Sequence, residues 1–239
     1  MNALKATLSA ILVVGLLTSG CKSELDDKPA ATVEDGKAEG ADKAKEAPEA
    51  KKDEAKKEPA AGEEKKAEMA ADKGMTYAID ESQSSIGWLG AKVTGDHKGV
   101  FKDFKGTVTV ADGKITGLTY TVDTASMHTD DSEKLLGHLK SPDFLDVEKF
   151  PTASFTAEAF TPVTQDGFTH KVTGTMEMRG VKKKVTFPVK ITMGDDAVTG
   201  ETEFKINRKD FGIVYPGKPD DLIRDDVLLT IKMVAPKKG

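Results

Sequence analysis

Closely spaced serine, histidine and aspartate residues are the side chains of this chain best suited to acid–base chemistry. Ser126 lies two residues before His128, and His138 lies five residues before Asp143. These pairs have the residue types of a nucleophile with its base, or of a base with its orienting carboxylate. No Gly-x-Ser-x-Gly turn surrounds Ser126, so the sequence does not indicate a serine hydrolase.

The histidines are also the natural candidates for a metal site. His97, His128 and His138 fall in or beside predicted loops and a predicted helix, and Asp130 is near them in sequence. Zinc takes three or four protein ligands, commonly from His-x-x-x-His or His-Glu-x-x-His spacings. Neither spacing occurs here. We therefore predict no metal and no catalytic residue, and we keep a hydrolase or metal-dependent enzyme as the alternative.

Cys21 is the only cysteine of the 239 residues, so it cannot form an internal disulfide bond. It follows an apolar run at residues 6–17, which a short segment containing Lys5 precedes. The run is shorter than the roughly 20 residues that span a hydrocarbon core. It has the pattern of a secretory signal peptide, which we assign to residues 1–20.

The segment Leu17-Thr18-Ser19-Gly20-Cys21 resembles the lipobox of bacterial lipoproteins. The resemblance implies that Cys21 receives a diacylglycerol group and becomes the first residue of the mature protein. Acyl chains contribute about 0.8 kcal/mol per buried CH₂, so several of them give stable anchoring. Lys22 follows the cysteine where an aspartate favours the inner membrane in enterobacterial lipoproteins, so the resemblance favours a periplasm-facing position on the outer membrane.

Residues 21–74 have the composition of a disordered linker. The stretch is mostly Ala, Lys, Glu, Asp, Pro and Gly, and the first aromatic residue of the chain is Tyr77. Such a segment buries too little apolar surface to offset its ordering entropy. About 50 flexible residues have an r.m.s. span of about 40 Å, so we expect a tether between the anchor and a folded domain.

Residues 75–239 have the length and pattern of one β domain. Apolar residues alternate with polar ones, as in Val185, Phe187, Val189 and Ile191, and turn residues such as Asp112-Gly113 separate the runs. This period of two predicts about eight strands in a mainly β, antiparallel sandwich or barrel. Pro188 within a strand predicts an edge or a bulge. The domain has 22 basic and 24 acidic residues and no glycine-rich phosphate loop, so we predict no nucleic-acid or nucleotide binding.

One segment has helical spacing. Leu135, Leu136 and Leu139 share a helical face, and Ser141-Pro142 predicts the end of that helix. The domain is therefore expected to carry one short helix, placed as a lid over an open end of the β structure.

Four segments of the domain resemble the YceI family. A helix ending in His138-Leu139 leads into Asp143-Phe144-Leu145-Asp146 and Lys149-Phe150-Pro151, which is the family's signature with two conservative changes. A departure is Lys134-Leu135-Leu136-Gly137, where the family often has an arginine–aspartate pair. The other matching segments are Tyr77-Ala78-Ile79-Asp80, Gly174-Thr175-Met176-Glu177-Met178-Arg179-Gly180-Val181 and Asn207-Arg208-Lys209-Asp210-Phe211-Gly212.

The resemblance implies a lipocalin-like antiparallel β-barrel that holds a long isoprenoid lipid, such as a polyprenyl phosphate or a quinone. Such a lipid needs an apolar channel with a few polar groups at its mouth. The candidate mouth residues are Lys92, His138 and Arg208. The candidate apolar lining residues are Trp88, Phe101, Phe104, Leu135, Leu139, Phe144, Phe155, Phe187, Phe204 and Phe211.

Three hypotheses follow from these patterns. The first is a membrane-anchored, periplasmic lipid-binding protein with no cofactor apart from its lipid. The second is the hydrolase or metal enzyme, and the third is a structural lipoprotein whose interior is filled by side chains. The sequence leaves the identity of the lipid and the oligomeric state open.

Overall fold

The computed structural model describes residues 23–35 and 74–237. The predicted signal peptide, Cys21 and residues 36–73 of the predicted linker lie outside these ranges. Within them no helix is both long and apolar enough to cross a bilayer.

The fold is a curled antiparallel sheet with one helix, as predicted. The strands follow the order β2-β5-β6-β8-β9-β10-β11-β13-β3-β4-β7, with β1 beside β10 and β12 beside β13. The strands are β1 Thr32–Asp35, β2 Met75–Ala78, β3 Ser85–Lys92, β4 Gly95–Phe101, β5 Phe104–Ala111, β6 Lys114–Asp123, β7 Met127–His128, β8 Thr152–Gln165, β9 Phe168–Met178, β10 Val181–Met193, β11 Ala197–Asn207, β12 Gly217–Lys218 and β13 Asp221–Pro236. The helix α1 is Glu133–Lys140, and short 3-10 turns occupy Thr124–Ser126 and Arg208–Phe211.

The predicted number of about eight strands counts only the long ones. The sheet has thirteen strands, of which the additional ones are mostly short pieces such as β7 and β12, each two residues long. A strand of two residues is too short to show alternation of apolar and polar side chains, so the sequence does not predict β7 or β12. A tight hairpin occurs at the predicted turn Asp112-Gly113, and similar hairpins occur at Asp166-Gly167 and Arg179-Gly180, where Asp112, Asp166 and Arg179 have positive φ.

Helix α1 ends where its sequence predicts, and Ser132 caps its beginning. The Ser132 hydroxyl accepts a hydrogen bond from the Leu135 N–H at 3.2 Å, which caps the amino end. The helix ends at Lys140, directly before Ser141-Pro142. Leu136 is buried against Trp88, Met127 and Phe144, so the helix packs across one end of the sheet.

The barrel wall splits between β10 and β11 at Pro188. β10 pairs with β11 only from Lys190 to Met193, and before that point the two strands diverge. The Pro188 carbonyl faces β11, since it accepts a hydrogen bond from the Thr202 hydroxyl at 2.5 Å. The N and C=O of one strand residue point to the same side, so the missing proline N–H also faces β11. Of the predicted alternatives, an edge or a bulge, the structure shows a local strand edge at Pro188 on the side of β11.

Residues 23–35, which we call the N-terminal strap, fill this split. β1 pairs with β10 from Thr32 opposite Thr186 to Asp35 opposite Lys183. On the other side, the Ala31 N–H donates to the Lys205 carbonyl of β11, and the Lys205 N–H donates to the Pro29 carbonyl, each at 2.8 Å. The strap therefore completes the wall where β10 and β11 cannot pair.

The prediction of a disordered linker is wrong for residues 23–35. Leu25 is only 1% exposed because it packs against Leu89, Ala91 and Leu228 on the outside of the barrel. Burying a leucine contributes about 1.5–3 kcal/mol, which helps to offset the ordering entropy that the composition suggested would dominate. Ala31 and Val33 also pack against the main core.

Gly174 in β9 allows a close approach of two strands, which gives a stability test of the fold. A Cβ at Gly174 would lie 2.3 Å from the Thr156 carbonyl oxygen, whereas nothing lies within 4 Å of a Cβ at Gly137 in α1. We expect Gly174→Ala to lower the free energy of unfolding by about 1–3 kcal/mol through overpacking. Gly137→Ala should leave it unchanged or raise it by up to about 1 kcal/mol, because alanine favours helix.

Urea denaturation followed by circular dichroism measures both variants. Equal stability of Gly174→Ala and the wild type would contradict the described approach of β9 and β8.

Candidate ligand cavity

The inside of the curled sheet holds a cavity of about 430 Å³ with a predominantly apolar lining. Inward-facing residues of nearly every long strand contribute, because alternate side chains of a strand point to the same face. Gly90 and Gly200 also line it, and no atom lies within 4 Å of a Cβ placed at Gly90. Ligand pockets commonly measure about 300–1,000 Å³ and have this apolar character.

Most of the predicted lining residues do line the cavity. These are Trp88, Phe101, Leu135, Leu139, Phe144, Phe155, Phe187 and Phe204. Phe187 of β10 and Phe204 of β11 stack with ring centroids 4.1 Å apart and planes at 6°. The stacked pair therefore joins the two strands that separate at Pro188.

Phe104 and Phe211 do not line the cavity, so their prediction as lining residues is wrong. Phe104 packs in the core with its ring centroid 6.4 Å from that of Tyr120, and Phe211 is fully buried in its 3-10 turn. Phe104 is the first residue of β5 and Phe211 lies in a 3-10 turn, so strand alternation does not show which way either side chain points.

Two buried polar atoms of cavity-lining residues, Trp88 Nε1 and the Tyr120 hydroxyl oxygen, lack a hydrogen-bond partner among the described residues. Burial raises the pKa of the Tyr120 phenol above its ordinary value, so the group stays protonated. A buried polar group without a partner costs about 1–3 kcal/mol. A ligand that brings an acceptor oxygen into the cavity can lower that cost.

Sequence reasoning did not assign Tyr120 or Tyr215 to the cavity, although both line it. The position of Tyr120 could have been predicted, because it lies on the same face of β6 as Leu118 and Val122, which also line the cavity. Tyr215 lies in a loop without periodicity, so only its contact with α1 reveals its place.

The half-buried lining residues lie at the end where α1 packs, so we place the opening of the cavity at that end. Half-buried Lys92, His97, His138 and Tyr215 border the opening. At the other end the lining residues Ile191, Gly200 and Met233 are buried. We call the first end the mouth and the second the closed end.

Lys92 and His138 stand at the mouth as predicted, and each contacts an aspartate. Lys92 Nζ lies 2.7 Å from Asp221 Oδ2, and its ammonium holds the pKa of the Asp221 carboxyl below its usual value. His138 Nε2 lies 3.0 Å from Asp143 Oδ2. The His138 ring also meets Phe144 and Tyr215 edge to face, each with centroids 4.9 Å apart, which fixes α1 over the mouth.

Arg208 borders the cavity but is a buried structural residue. It is 2% exposed, and its guanidinium donates to the carbonyls of Ile213 at 2.7 Å and Arg224 at 3.0 Å. It also pairs with Asp225 at 3.3 Å. Burial lowers the pKa of the guanidinium, and Asp225 opposes that shift. The arginine therefore holds the mouth loops together.

The proposed acid–base and metal pairs do not assemble into a larger site. The Ser126 hydroxyl donates to the Asp123 carbonyl at 2.6 Å, and His128 Nε2 lies 3.1 Å from Asp130 Oδ1. His97 Nδ1 lies 2.8 Å from Asp131 Oδ2. Within residues 23–35 and 74–237, no group of three or more His, Cys, Asp or Glu side chains could hold a metal ion.

The described fold and cavity match a known family. The family model of the YceI-like domain matches residues 77–235, so the chain belongs to this family. Protein YceI of Escherichia coli strain UMN026 is 40% identical over 123 residues, and that of Salmonella arizonae is 39% identical over the same length. Each alignment covers 48% of this chain and 62% of the relative, so the chain spans less than two thirds of these relatives.

Solved structures show the same fold. Burkholderia cenocepacia BcnA has a TM-score of 0.59 at 23% identity, with 66% of this chain and 99% of that one covered. The YceI protein of Campylobacter jejuni has a TM-score of 0.51 at 26% identity, covering 59% and 85%. A polyisoprenoid-binding domain from Saccharophagus degradans has a TM-score of 0.54 at 12% identity, covering 67% and 97%. The prediction of a lipocalin-like, YceI-family barrel is confirmed.

Arg208 and Lys209 allow a matched test of the mouth, because both contact Asp225. We expect Arg208→Met to lower the free energy of unfolding by about 3 kcal/mol or more, since it leaves buried carbonyls and a carboxylate without their donor. Lys209→Met removes an exposed pair and should cost at most about 1 kcal/mol. Chemical denaturation of both variants measures the difference, and equal losses would refute the structural role of Arg208.

Proposed function

We propose that this protein binds a long isoprenoid-type lipid, such as a polyprenyl phosphate or a quinone, in the barrel cavity. The observation that carries the proposal is the cavity itself, which is apolar, about 430 Å³ in volume, closed at one end and open at the mouth. An isoprenoid chain has only apolar surface to bury, so it suits this lining. The relative whose name describes a polyisoprenoid-binding domain supports this ligand class through its shared fold.

The polar groups of the cavity suit a ligand that carries a few acceptor oxygens. Trp88 Nε1 is a donor, and the Tyr120 hydroxyl can donate or accept. At the mouth, Lys92 and His138 already contact carboxylates, which makes the mouth polar. Both a quinone and a polyprenyl phosphate combine a long apolar chain with acceptor oxygens, so both are tested below.

We infer a binding protein rather than an enzyme. A cavity of this kind shields an apolar molecule from water, while the Ser126 hydroxyl is engaged by a backbone carbonyl rather than by His128. A purely structural lipoprotein is disfavoured because side chains do not fill the barrel.

We further propose that the protein faces the periplasm and is held by acyl groups on Cys21 after removal of residues 1–20. The support is the apolar run at residues 6–17 followed by the lipobox-like segment. Lys22 favours the outer membrane over the inner membrane. An anchored barrel would hold its lipid next to the membrane from which lipids are drawn.

Gly90 provides the test of the cavity, because it lines the cavity near the mouth and has open space beside it. We expect Gly90→Leu to lower affinity for added polyprenyl phosphate or ubiquinone by at least about tenfold, since the side chain fills the channel. Gly137→Leu places the same side chain on the exposed side of α1 and should bind as the wild type does. Binding of each lipid to the delipidated protein is measured separately by the change in fluorescence of Trp88, the single tryptophan of the chain.

If Gly90→Leu loses affinity for only one of the two lipids, that lipid represents the class that the cavity binds. If neither lipid binds the wild type, or if Gly90→Leu binds both unchanged, the cavity is not the lipid site.

Cys21 provides the test of the anchor. Cys21→Ser should move the chain from the membrane fraction to the soluble fraction, because serine cannot form the thioether that holds the acyl groups. Glu24→Ser introduces serine three residues later and should remain in the membrane fraction. Fractionation with immunoblotting gives the readout, and a membrane-bound Cys21→Ser variant would contradict acylation.

A further inference from the structure

The N-terminal strap begins at the mouth of the cavity. The Ser23 hydroxyl donates to Asp96 Oδ2 at 3.1 Å, and Asp96 lies opposite Ala91 in the β3–β4 hairpin. Lys92 and His97 of that hairpin border the mouth. The described chain therefore starts beside the open end of the barrel.

Several contacts hold the strap in this place. Leu25 is buried two residues after Ser23, and Asp26 Oδ1 lies 2.7 Å from Arg224 Nη1. Lys28 pairs with Glu203 further along, before the strap enters the split between β10 and β11. Because the strap completes the barrel wall, its first residue cannot leave the mouth without loss of these contacts.

The mouth is also surrounded by exposed apolar side chains. Val93 is 73% exposed, Val214 is 65% exposed and Leu222 is 51% exposed. Val93 and Leu222 are neighbours, since the Val93 N–H donates to the Leu222 carbonyl at 3.1 Å, and Val214 lies between the lining residues Ile213 and Tyr215. We call these three residues the apolar rim.

Clustered exposed apolar residues mark surfaces that contact a protein or a membrane. The chain that precedes the strap favours a membrane here. Residues 6–17 are apolar, and Cys21 lies two residues before Ser23, a distance of at most about 7 Å along the chain. Acyl groups on Cys21 would thus enter the bilayer directly beside the rim.

We propose that the apolar rim rests on the bilayer, so that the mouth opens onto the lipid surface and the closed end points away. This inference rests on the proposed membrane anchoring and lipid binding, and it adds an orientation to them. It replaces the long tether by a short one, because residues 36–73 follow the strap and do not separate Cys21 from the barrel. A lipid then enters the cavity from the membrane without crossing water.

Single-cysteine labelling tests the orientation. Cys21 is the only native cysteine, so once it is acylated an introduced cysteine is the only free thiol. Val93→Cys and Leu222→Cys place an environment-sensitive fluorophore on the rim, and Asp112→Cys and Asp166→Cys place it on hairpins at the closed end. Each full-length chain is purified from bacterial membranes and reconstituted into vesicles of phosphatidylethanolamine and phosphatidylglycerol that contain a spin-labelled lipid quencher.

We expect both rim labels to lose at least about half of their fluorescence, because side chains at an interface reach about 5–10 Å into the headgroup region. The closed-end labels should keep theirs. Absence of quenching at the rim, equal quenching at both ends, or failure of the chain to attach to the vesicles overturns the proposal. So does concentration-dependent shielding of the rim labels without vesicles, which would show that the rim binds a second copy of the chain.

Leu25→Asp separates the strap's contribution from that of the anchor. This change places a charge at a buried site and should release the strap, so rim quenching should fall at least about twofold while the chain stays attached to the vesicles. Glu34→Asp, at an exposed strap residue, should leave quenching unchanged. Unchanged quenching in Leu25→Asp would refute the strap's role in orientation.

The lipid content of the same samples is measured by solvent extraction. If the chain carries lipid but its rim labels are not quenched, the orientation is wrong and the lipid-binding function stands. If no lipid is found although the rim labels are quenched, the lipid-binding proposal is the one that fails.

Discussion

Pro188 separates β10 from β11, and the position of the N-terminal strap follows from this separation. A proline has no N–H to give to β11, and the Thr202 hydroxyl takes the carbonyl at the same position. Two strands that diverge leave backbone groups without partners, and such groups are costly when buried. The strap supplies those partners on both sides, at Lys205 and along β10. Because the strap pairs with β10 and β11, the first described residue, Ser23, lies at the mouth.

The same wall encloses an interior that is apolar but not filled. The stacked rings of Phe187 and Phe204 bridge the split on the inside, while the strap closes it on the outside. Gly90 leaves space that a larger residue would occupy, since no atom lies within 4 Å of a Cβ placed there. With a single cysteine the chain has no internal disulfide bond, so side-chain packing and hydrogen bonds stabilise the wall. A bound lipid would add stability that grows with its concentration.

The sequence predicted the features that repeat along the chain. Alternation of apolar and polar residues, as in β10, predicted the strands, and Leu135, Leu136 and Leu139 predicted the helix. The family resemblance added the barrel and most of the cavity lining. These signals are local or periodic, so they can be seen without knowing which strands are neighbours.

The strap could not be predicted in this way. Leu25 and Val33 are single apolar residues in a polar stretch, and their partners lie far away, as in the pair of Asp26 with Arg224, 198 residues apart. The burial of Phe104 and Phe211 outside the cavity depends in the same manner on how the sheet curls at its ends. Contacts that join distant segments become visible only in the folded chain.

Native mass spectrometry of the full-length protein purified from its own membranes can show whether the cavity holds a long apolar lipid. We expect a mass above that of the acylated chain, corresponding to one bound molecule that solvent releases and that is identified as an isoprenoid chain with an oxygen-bearing head. The Gly90→Leu variant, prepared in the same way, should lack that mass. Wild-type protein at the mass of the acylated chain alone, with no isoprenoid in the solvent extract, would show that the cavity does not hold such a lipid.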